Sequence, residues 1–248
     1  MGAPVVHFEL AGPDHAASAK FYADLFGWEI TSSQPELFYT TIDTHGGDGI
    51  NGGFGSPPNG ASYVTVYAAV PDLRATLDHA ESLGAKILMD ITEIPNVVTM
   101  AMISDPAGNA FGLIKDPGEA QQSGPGPSQG DGAAVDWFDI LGPDGDALRS
   151  FYGNLFGWSF EQYGTGGPPY WTIDTGAGSG SAGGVGQSQD GQAQLNVYAH
   201  VDDVQKYVEQ AEAAGGTTLV PPTKATDTLT FGIISEPKGT RFGLYTPA

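Results

Sequence analysis

The chain has 248 residues, 40% of them hydrophobic, which suffices for two medium cores, since single domains run to roughly 100–200 residues. Nine basic against 29 acidic side chains give a net charge of −20, which opposes phosphate backbones and anionic membrane surfaces and argues against nucleic acid as a partner. Cysteine is absent, so disulfides, thiol nucleophiles and thiolate metal sites are excluded; no apolar run approaches the roughly 18 residues of a membrane span, and a cytoplasmic protein is expected.

In chain order, VVHFEL alternates, with Val6, Phe8 and Leu10 on one face of a strand and His7 and Glu9 on the other. Asp14 caps the next segment, whose Ala17, Phe21 and Leu25 recur at helical spacing with Tyr22 and Phe26 beside them, and Gly27 ends it. Strands are expected over 28–32, 37–44 and 50–54, the last weakened by its glycines. SYVTVYAAV alternates again, and a second helix starts near Asp72, carries Leu73, Leu77, Ala80 and Leu83, and stops at Gly84. AKILMDI, a returning VVTMAMI, the turn Asp105-Pro106-Ala107-Gly108 and the strand AFGLI complete the unit.

The unit is then written a second time. GPDHAASAKFYADLFGW answers GPDGDALRSFYGNLFGW, YTTIDT answers YWTIDT, VYAAVPDL answers VYAHVDDV, and SDPAGNAFGL answers SEPKGTRFGL. Residues 1–115 and 134–248 form the two copies, and 116–133, rich in Gly, Pro, Ser and Gln, form the linker. The twice-written FY..LFGW reads as a structural element, because its aromatics share the apolar stripe of a helix that must lie on a sheet.

These motifs, VHFEL with FYADLFGW at the head, YVTVYAAVPDL at mid-unit and DPAGNAFGL at the tail, resemble the vicinal oxygen chelate superfamily of glyoxalase I, extradiol dioxygenases and bleomycin-resistance proteins. The resemblance covers nearly the whole chain and is nearest to tandem glyoxalase-like proteins. It implies an α+β fold of two tandem domains, each a pair of βαβββ modules forming a cup-shaped mixed sheet with helices outside. It also implies an intramolecular pseudo-dimer, with a further homodimer possible.

Metal-dependent members of that superfamily hold a divalent ion with four residues, and the resemblance places these positions at His7, Thr65, Gly112 and within INGGF in the first copy. In the second copy they fall at Trp137, Asn196, Gly243 and within SAGGV. Only His7 is a strong donor, so no metal cofactor is expected, with a divalent ion bound through His7 as the alternative.

Alternation carries the face of His7 and Glu9 on to Tyr39, Thr41, Tyr63, Thr65, Tyr67, Ala110 and Gly112. The matching face of the second copy carries Trp137, Asp139, Tyr170, Thr172, Asn196, Tyr198, His200, Arg241 and Gly243. Aromatics joined to a few polar groups suit a small-molecule pocket. Two roles stand open for His7, a hydrogen-bonded polar residue or a general base oriented by Glu9. Two also stand open for Arg241, a rim ion pair with Asp139 and His200 nearby, or an anchor for an anionic or carbonyl-bearing ligand. The glycines at 52, 53, 183 and 184 and the loops THGGDG and GAGSGSAGG are expected to form flexible lips, with His45 facing solvent and His15 and His79 on helix surfaces. The expected function is metal-free sequestration of an aromatic or apolar metabolite. The alternative is a metal-dependent lyase, isomerase or dioxygenase using His7 and Glu9.

Overall fold

A computed structural model describes residues 2–34, 39–57, 60–95, 97–116, 126–164 and 167–247. The first copy folds as β1 (Val5–Ala11), α1 (His15–Phe26), β2 (Glu29–Gln34), β3 (Tyr39–Asp43), β4 (Asn51–Gly55), β5 (Tyr63–Val70), α2 (Leu73–Ser82), β6 (Lys86–Ile94), β7 (Val98–Ser104) and β8 (Ala110–Lys115). The second repeats it as β9 (Val135–Gly142), α3 (Gly145–Phe156), β10 (Ser159–Gln162), β11 (Tyr170–Asp174), β12 (Ala182–Gln187), β13 (Gln194–His200), α4 (Val204–Ala213), β14 (Thr217–Thr226), β15 (Leu229–Ser235) and β16 (Arg241–Pro247). Two eight-stranded mixed sheets result, ordered β2-β3-β4-β1-β5-β8-β7-β6 and β10-β11-β12-β9-β13-β16-β15-β14. This is the α+β architecture of four βαβββ modules that the repeats imply. Most of the expected linker, residues 117–125, lies outside the described residues.

The helix boundaries follow from local chemistry. Asp14, Asp72, Asp144 and Asp203 each accept a hydrogen bond from a backbone N–H in the first turn of the helix they precede. At the far ends of α1 and α3, Gly27 and Gly157 sit at φ 72° and 71°, the left-handed region in which a Cβ is costly.

Contacts gather the chain into two compact units that cut across the copies. One comprises Met1–Val6, Thr65–Pro125 and Trp137–Leu195, and the other His7–Val64, Gly126–Asp136 and Asn196–Ala248. Each unit therefore joins the first module of one copy to the second module of the other, and the repeated FY..LFGW segment makes the joint.

In the unit containing α1, Tyr22 and Trp28 pack on Phe242 at ring separations of 5.3 and 5.6 Å, and Phe26 lies 5.8 Å from Tyr207. Trp28 Nε1 donates to the Ala133 carbonyl at 2.8 Å. In the unit containing α3, Tyr152 packs 5.3 Å from Phe111 and donates to Asp105 Oδ2 at 3.0 Å, while Trp158 Nε1 donates to the Ala3 carbonyl at 2.9 Å. Tyr22 and Tyr152 are wholly buried. Burial of each such aromatic contributes about 1.5–3 kcal/mol, and the indole bonds leave no polar atom stranded. The octet is structural, as its apolar stripe implies, and what it supports is the docking of one copy on the other.

The glycine-rich loops expected to be lips are tied down. Gly46 pairs with Gln129, and Gly47 N–H donates to the Ser128 carbonyl at 3.1 Å. In the other unit, Ser181 N–H donates to the Val5 carbonyl at 2.8 Å. Glycine lets the two backbones touch: a Cβ at Gly46 would lie 2.5 Å from Ala134 Cα, and one at Gly180 would lie 2.4 Å from the Val5 oxygen. His45, expected to face solvent, is half-buried at φ 51°; its Nε2 meets Glu29 Oε2 at 2.8 Å and its Nδ1 meets Ser128 Oγ at 3.2 Å. Ser128 also donates to Asp43, so this cluster fastens the segment leading into β9. His15, too, is more than a surface ornament, since its Nδ1 meets Ser56 Oγ at 2.7 Å; His79 is exposed.

Candidate binding faces

Strand alternation sends Phe8, Phe111, Phe138 and Phe242 into the helix-side cores and leaves the opposite face of each sheet to polar and tyrosine side chains. On β1 and β3, His7 Nε2 meets Tyr39 Oη at 2.7 Å. Burial holds the imidazole at a pKa of about 4, well below the ordinary 6.5, so it is neutral at pH 7. Glu9, also buried, accepts from Tyr63 Oη at 2.9 Å. Burial and then the neighbouring Glu9 charge push the Tyr39 hydroxyl up, and the same two causes push the Tyr63 hydroxyl up. Both phenols therefore keep their protons at pH 7.

The corresponding face of β9 and β11 substitutes a different network. Asp139 Oδ1 accepts from Tyr170 Oη at 2.5 Å and from Trp137 Nε1 at 3.0 Å, and Trp137 also reaches Tyr170 Oη at 3.3 Å. Thr41 and Thr172 turn their hydroxyls to the Thr31 and Glu161 carbonyls of the adjoining edge strands.

The second modules are drier. On β5, Thr65 is fully buried and donates to the Ala110 carbonyl at 2.9 Å, while Tyr67 Oη approaches Met102 Sδ at 4.0 Å. On β13, Asn196 is fully buried and neither amide atom has a hydrogen-bond partner among the described residues. Arg241, partly exposed on β16, has no carboxylate partner among the described residues, so the rim ion pair does not form. His200 instead stacks on Tyr245 at 5.0 Å, with Nδ1 3.9 Å from Asp136. Tyr245 donates to Asp136 Oδ1 at 2.8 Å, and burial raises the Asp136 carboxyl. Tyr245 and Asp136 escape sequence reasoning because neither belongs to a repeated motif.

One device recurs in all four modules. A Cβ on Gly53 would lie 2.0 Å from Tyr39 Oη, and one on Gly184 would lie 1.8 Å from Tyr170 Oη. A Cβ on Gly112 or Gly243 would lie 2.1 Å from the ring of Tyr67 or Tyr198. Each of these tyrosines reaches over a glycine of the neighbouring strand, Tyr39 and Tyr170 with the hydroxyl end and Tyr67 and Tyr198 with the ring edge. The paired glycines of β4 and β12 are thus strand residues, not lips. Gly52 and Gly183 make the same room on the other face for Phe8 and Phe138.

The divalent ion of the metal-dependent relatives does not fit this donor set. The positions at Gly112, Gly243 and in the two Gly-Gly pairs carry no donor, and the volume a ligating side chain would take at 53, 112, 184 and 243 is filled by a tyrosine. Thr65 is spent on a carbonyl, Trp137 offers only a donor N–H, and no cluster of three or more His, Asp or Glu occurs among the described residues.

Comparison with known proteins supplies the family. Residues 5–113 and 134–244 each match the model of the Glyoxalase/Bleomycin resistance protein/Dioxygenase superfamily. The chain is 26% identical to CFP32 of Mycobacterium tuberculosis, whose glyoxylase label is provisional, over 97% of this chain and 93% of that one. It is 31% identical to the anthracycline biosynthesis protein DnrV of Streptomyces peucetius, over 61% of this chain and 59% of that one. In fold it is similar to the Mn(II)-bound glyoxalase of Novosphingobium aromaticivorans, with a TM-score of 0.70 at 14% identity, covering 99% of this chain and 82% of that one. The 2,3-dioxygenase LapB of a Pseudomonas species gives a TM-score of 0.68 at 12% identity, covering 100% and 93%. With two matches that together span most of its length, the chain belongs to the Glyoxalase/Bleomycin resistance protein/Dioxygenase superfamily.

Proposed function

We propose that the protein is a metal-free binder of an aromatic or otherwise apolar small molecule, held against the tyrosine-bearing sheet faces. The observation that carries this reading is the tyrosine laid over glycine in each of the four modules, which supports an aromatic surface at positions that the family resemblance assigns to metal ligands. Tyr39, Tyr63, Thr65, Tyr67, Trp137, Asp139, Tyr170, Asn196, Tyr198, His200 and Arg241 are the ligand-facing residues in this reading. His7 and Glu9 serve by holding the Tyr39 and Tyr63 hydroxyls in place rather than as a base and its orienter. A relative named for anthracycline biosynthesis supports an aromatic ligand.

The alternative, a lyase, isomerase or dioxygenase working through a divalent ion on His7, lacks a specific observation in its favour. The two copies act as an intramolecular pair, and a cytoplasmic setting is in keeping with a cysteine-free chain. Titration of 1-naphthol into EDTA-dialysed full-length protein, followed by tryptophan fluorescence, tests the reading. Saturable quenching that survives chelation is expected; binding that appears only after Mn²⁺ is restored would refute it.

A further inference from the structure

At one place the two copies part company in chemistry while keeping their register. Thr65 of the first copy corresponds to Asn196 of the second, and Ala110 corresponds to Arg241. Parallel pairing sets Tyr67 opposite Gly112 and Tyr198 opposite Gly243. Two residues earlier on each strand, and on the same face, Thr65 neighbours Ala110 and Asn196 neighbours Arg241. Both members of one neighbouring pair have therefore changed.

The first pair closes on itself, Thr65 Oγ1 donating to the Ala110 carbonyl at 2.9 Å. The second does not. Asn196 is 0% exposed, and its Nδ2 and Oδ1 both lack partners among the described residues, as does the buried Nε of Arg241. A buried amide left in this state lowers stability unless something supplies its partners. Arg241 is one of three arginines in a chain of net charge −20, yet no carboxylate pairs with it among the described residues.

The open valences define their complement. Arg241 and the Asn196 amide nitrogen present N–H donors that suit an anionic, planar oxygen pair, and Asn196 Oδ1 calls for a donor beside it. On β15, Phe231 lies opposite Tyr245 and Ile233 opposite Gly243, so both continue this face as an apolar floor beside Tyr198.

We propose that Asn196 and Arg241 anchor an aromatic ligand bearing a carboxylate next to a hydroxyl. The carboxylate oxygens accept from Arg241 and Asn196 Nδ2, the hydroxyl donates to Asn196 Oδ1, and the ring lies along Tyr198 and Ile233. Since Asn196 has no exposed surface, docking swings a neighbouring side chain aside; Arg241, long, partly exposed and in register, is the one that moves. The proposal rests on the aromatic-binding reading and assigns its ligand class in the second copy.

Isothermal titration of the full chain at pH 7 with salicylate, benzoate and phenol tests it. The wild type should bind salicylate at least about tenfold more tightly than either of the others. The double variant Asn196→Thr, Arg241→Ala installs the first copy's own pair and should fold with an undiminished melting temperature. It should lose at least about tenfold in salicylate affinity. Equal affinities for the three probes, or a double variant that binds salicylate as the wild type does, would overturn the anchor and leave aromatic binding standing. Failure of all three probes, together with failure of 1-naphthol, would overturn both.

Discussion

Placing a methyl group beneath a tyrosine ring tests the packing that excludes a ligating side chain. In Gly112→Ala the new Cβ would sit 2.1 Å from Tyr67 Cδ1 and 2.3 Å from Cε1, far inside van der Waals contact. Gly112 does not have the positive φ that would strain any side chain, so the cost is one of space alone. The ring cannot slide away cheaply, since Tyr67 is only 2% exposed. Overpacking of this kind costs about 1–3 kcal/mol, and the rigid ring places Gly112→Ala in the upper half of that range. Urea unfolding of four proteins, the wild type, Gly112→Ala, Tyr67→Ala and the double variant, isolates the clash. Gly112→Ala should cost about 2–3 kcal/mol in the wild type and less than about 0.5 kcal/mol once Tyr67 is alanine, a coupling of at least about 1.5 kcal/mol. The same cost in both backgrounds would show that the ring does not fill the glycine's space.

Further expectations concern pH and the joint between the copies. His7 has its folded-state pKa depressed to about 4 against 6.5 unfolded, so the unfolded chain takes up a proton first as pH falls. At 1.36 kcal/mol per pKa unit this group withdraws at most about 3 kcal/mol of stability between pH 6.5 and pH 4. His7→Gln should remove that slope in pH-dependent urea melts, and an unchanged slope would place the loss elsewhere. Trp28→Phe and Trp158→Phe each strand a buried carbonyl, on Ala133 and Ala3 respectively, and should each cost about 1–3 kcal/mol by thermal or urea unfolding. Unequal effects, one near zero, would contradict the matched roles of the two octets. Tyr152→Phe removes one donor from the buried Asp105 carboxylate and should cost about 1–3 kcal/mol, whereas Tyr163→Phe, on an exposed ring, should be neutral within about 0.5 kcal/mol in the same assay.

The elements were legible because their signals are local. Asp14 and Gly27 bracket α1 in the chain as they do in the fold, and the parity of VVHFEL separates Phe8 from His7 and Glu9 correctly. The exchange of modules between copies was not legible. Nothing local in FYADLFGW says that Tyr22 and Trp28 will meet Phe242 rather than Phe111, since both tails read FGL.

Glycine misled for a related reason. Gly52 and Gly53 resemble loop residues until Phe8 and Tyr39 are seen to need their space from opposite faces. His45 reads as solvent-facing in the sequence because its partner Ser128 lies in a stretch whose composition suggests only a tether. Asn196 and Arg241 could be placed on one face from the strand pattern, but their want of partners emerges only from side-chain packing.

The central claim is that no resident ion belongs on these faces. Full-length protein, expressed in metal-supplemented medium and purified without chelator, should contain less than about 0.1 equivalent of Mn, Fe, Ni or Zn by inductively coupled plasma mass spectrometry. Close to one or two equivalents of any of these metals, retained through gel filtration and lost in a His7→Ala variant, would contradict the account.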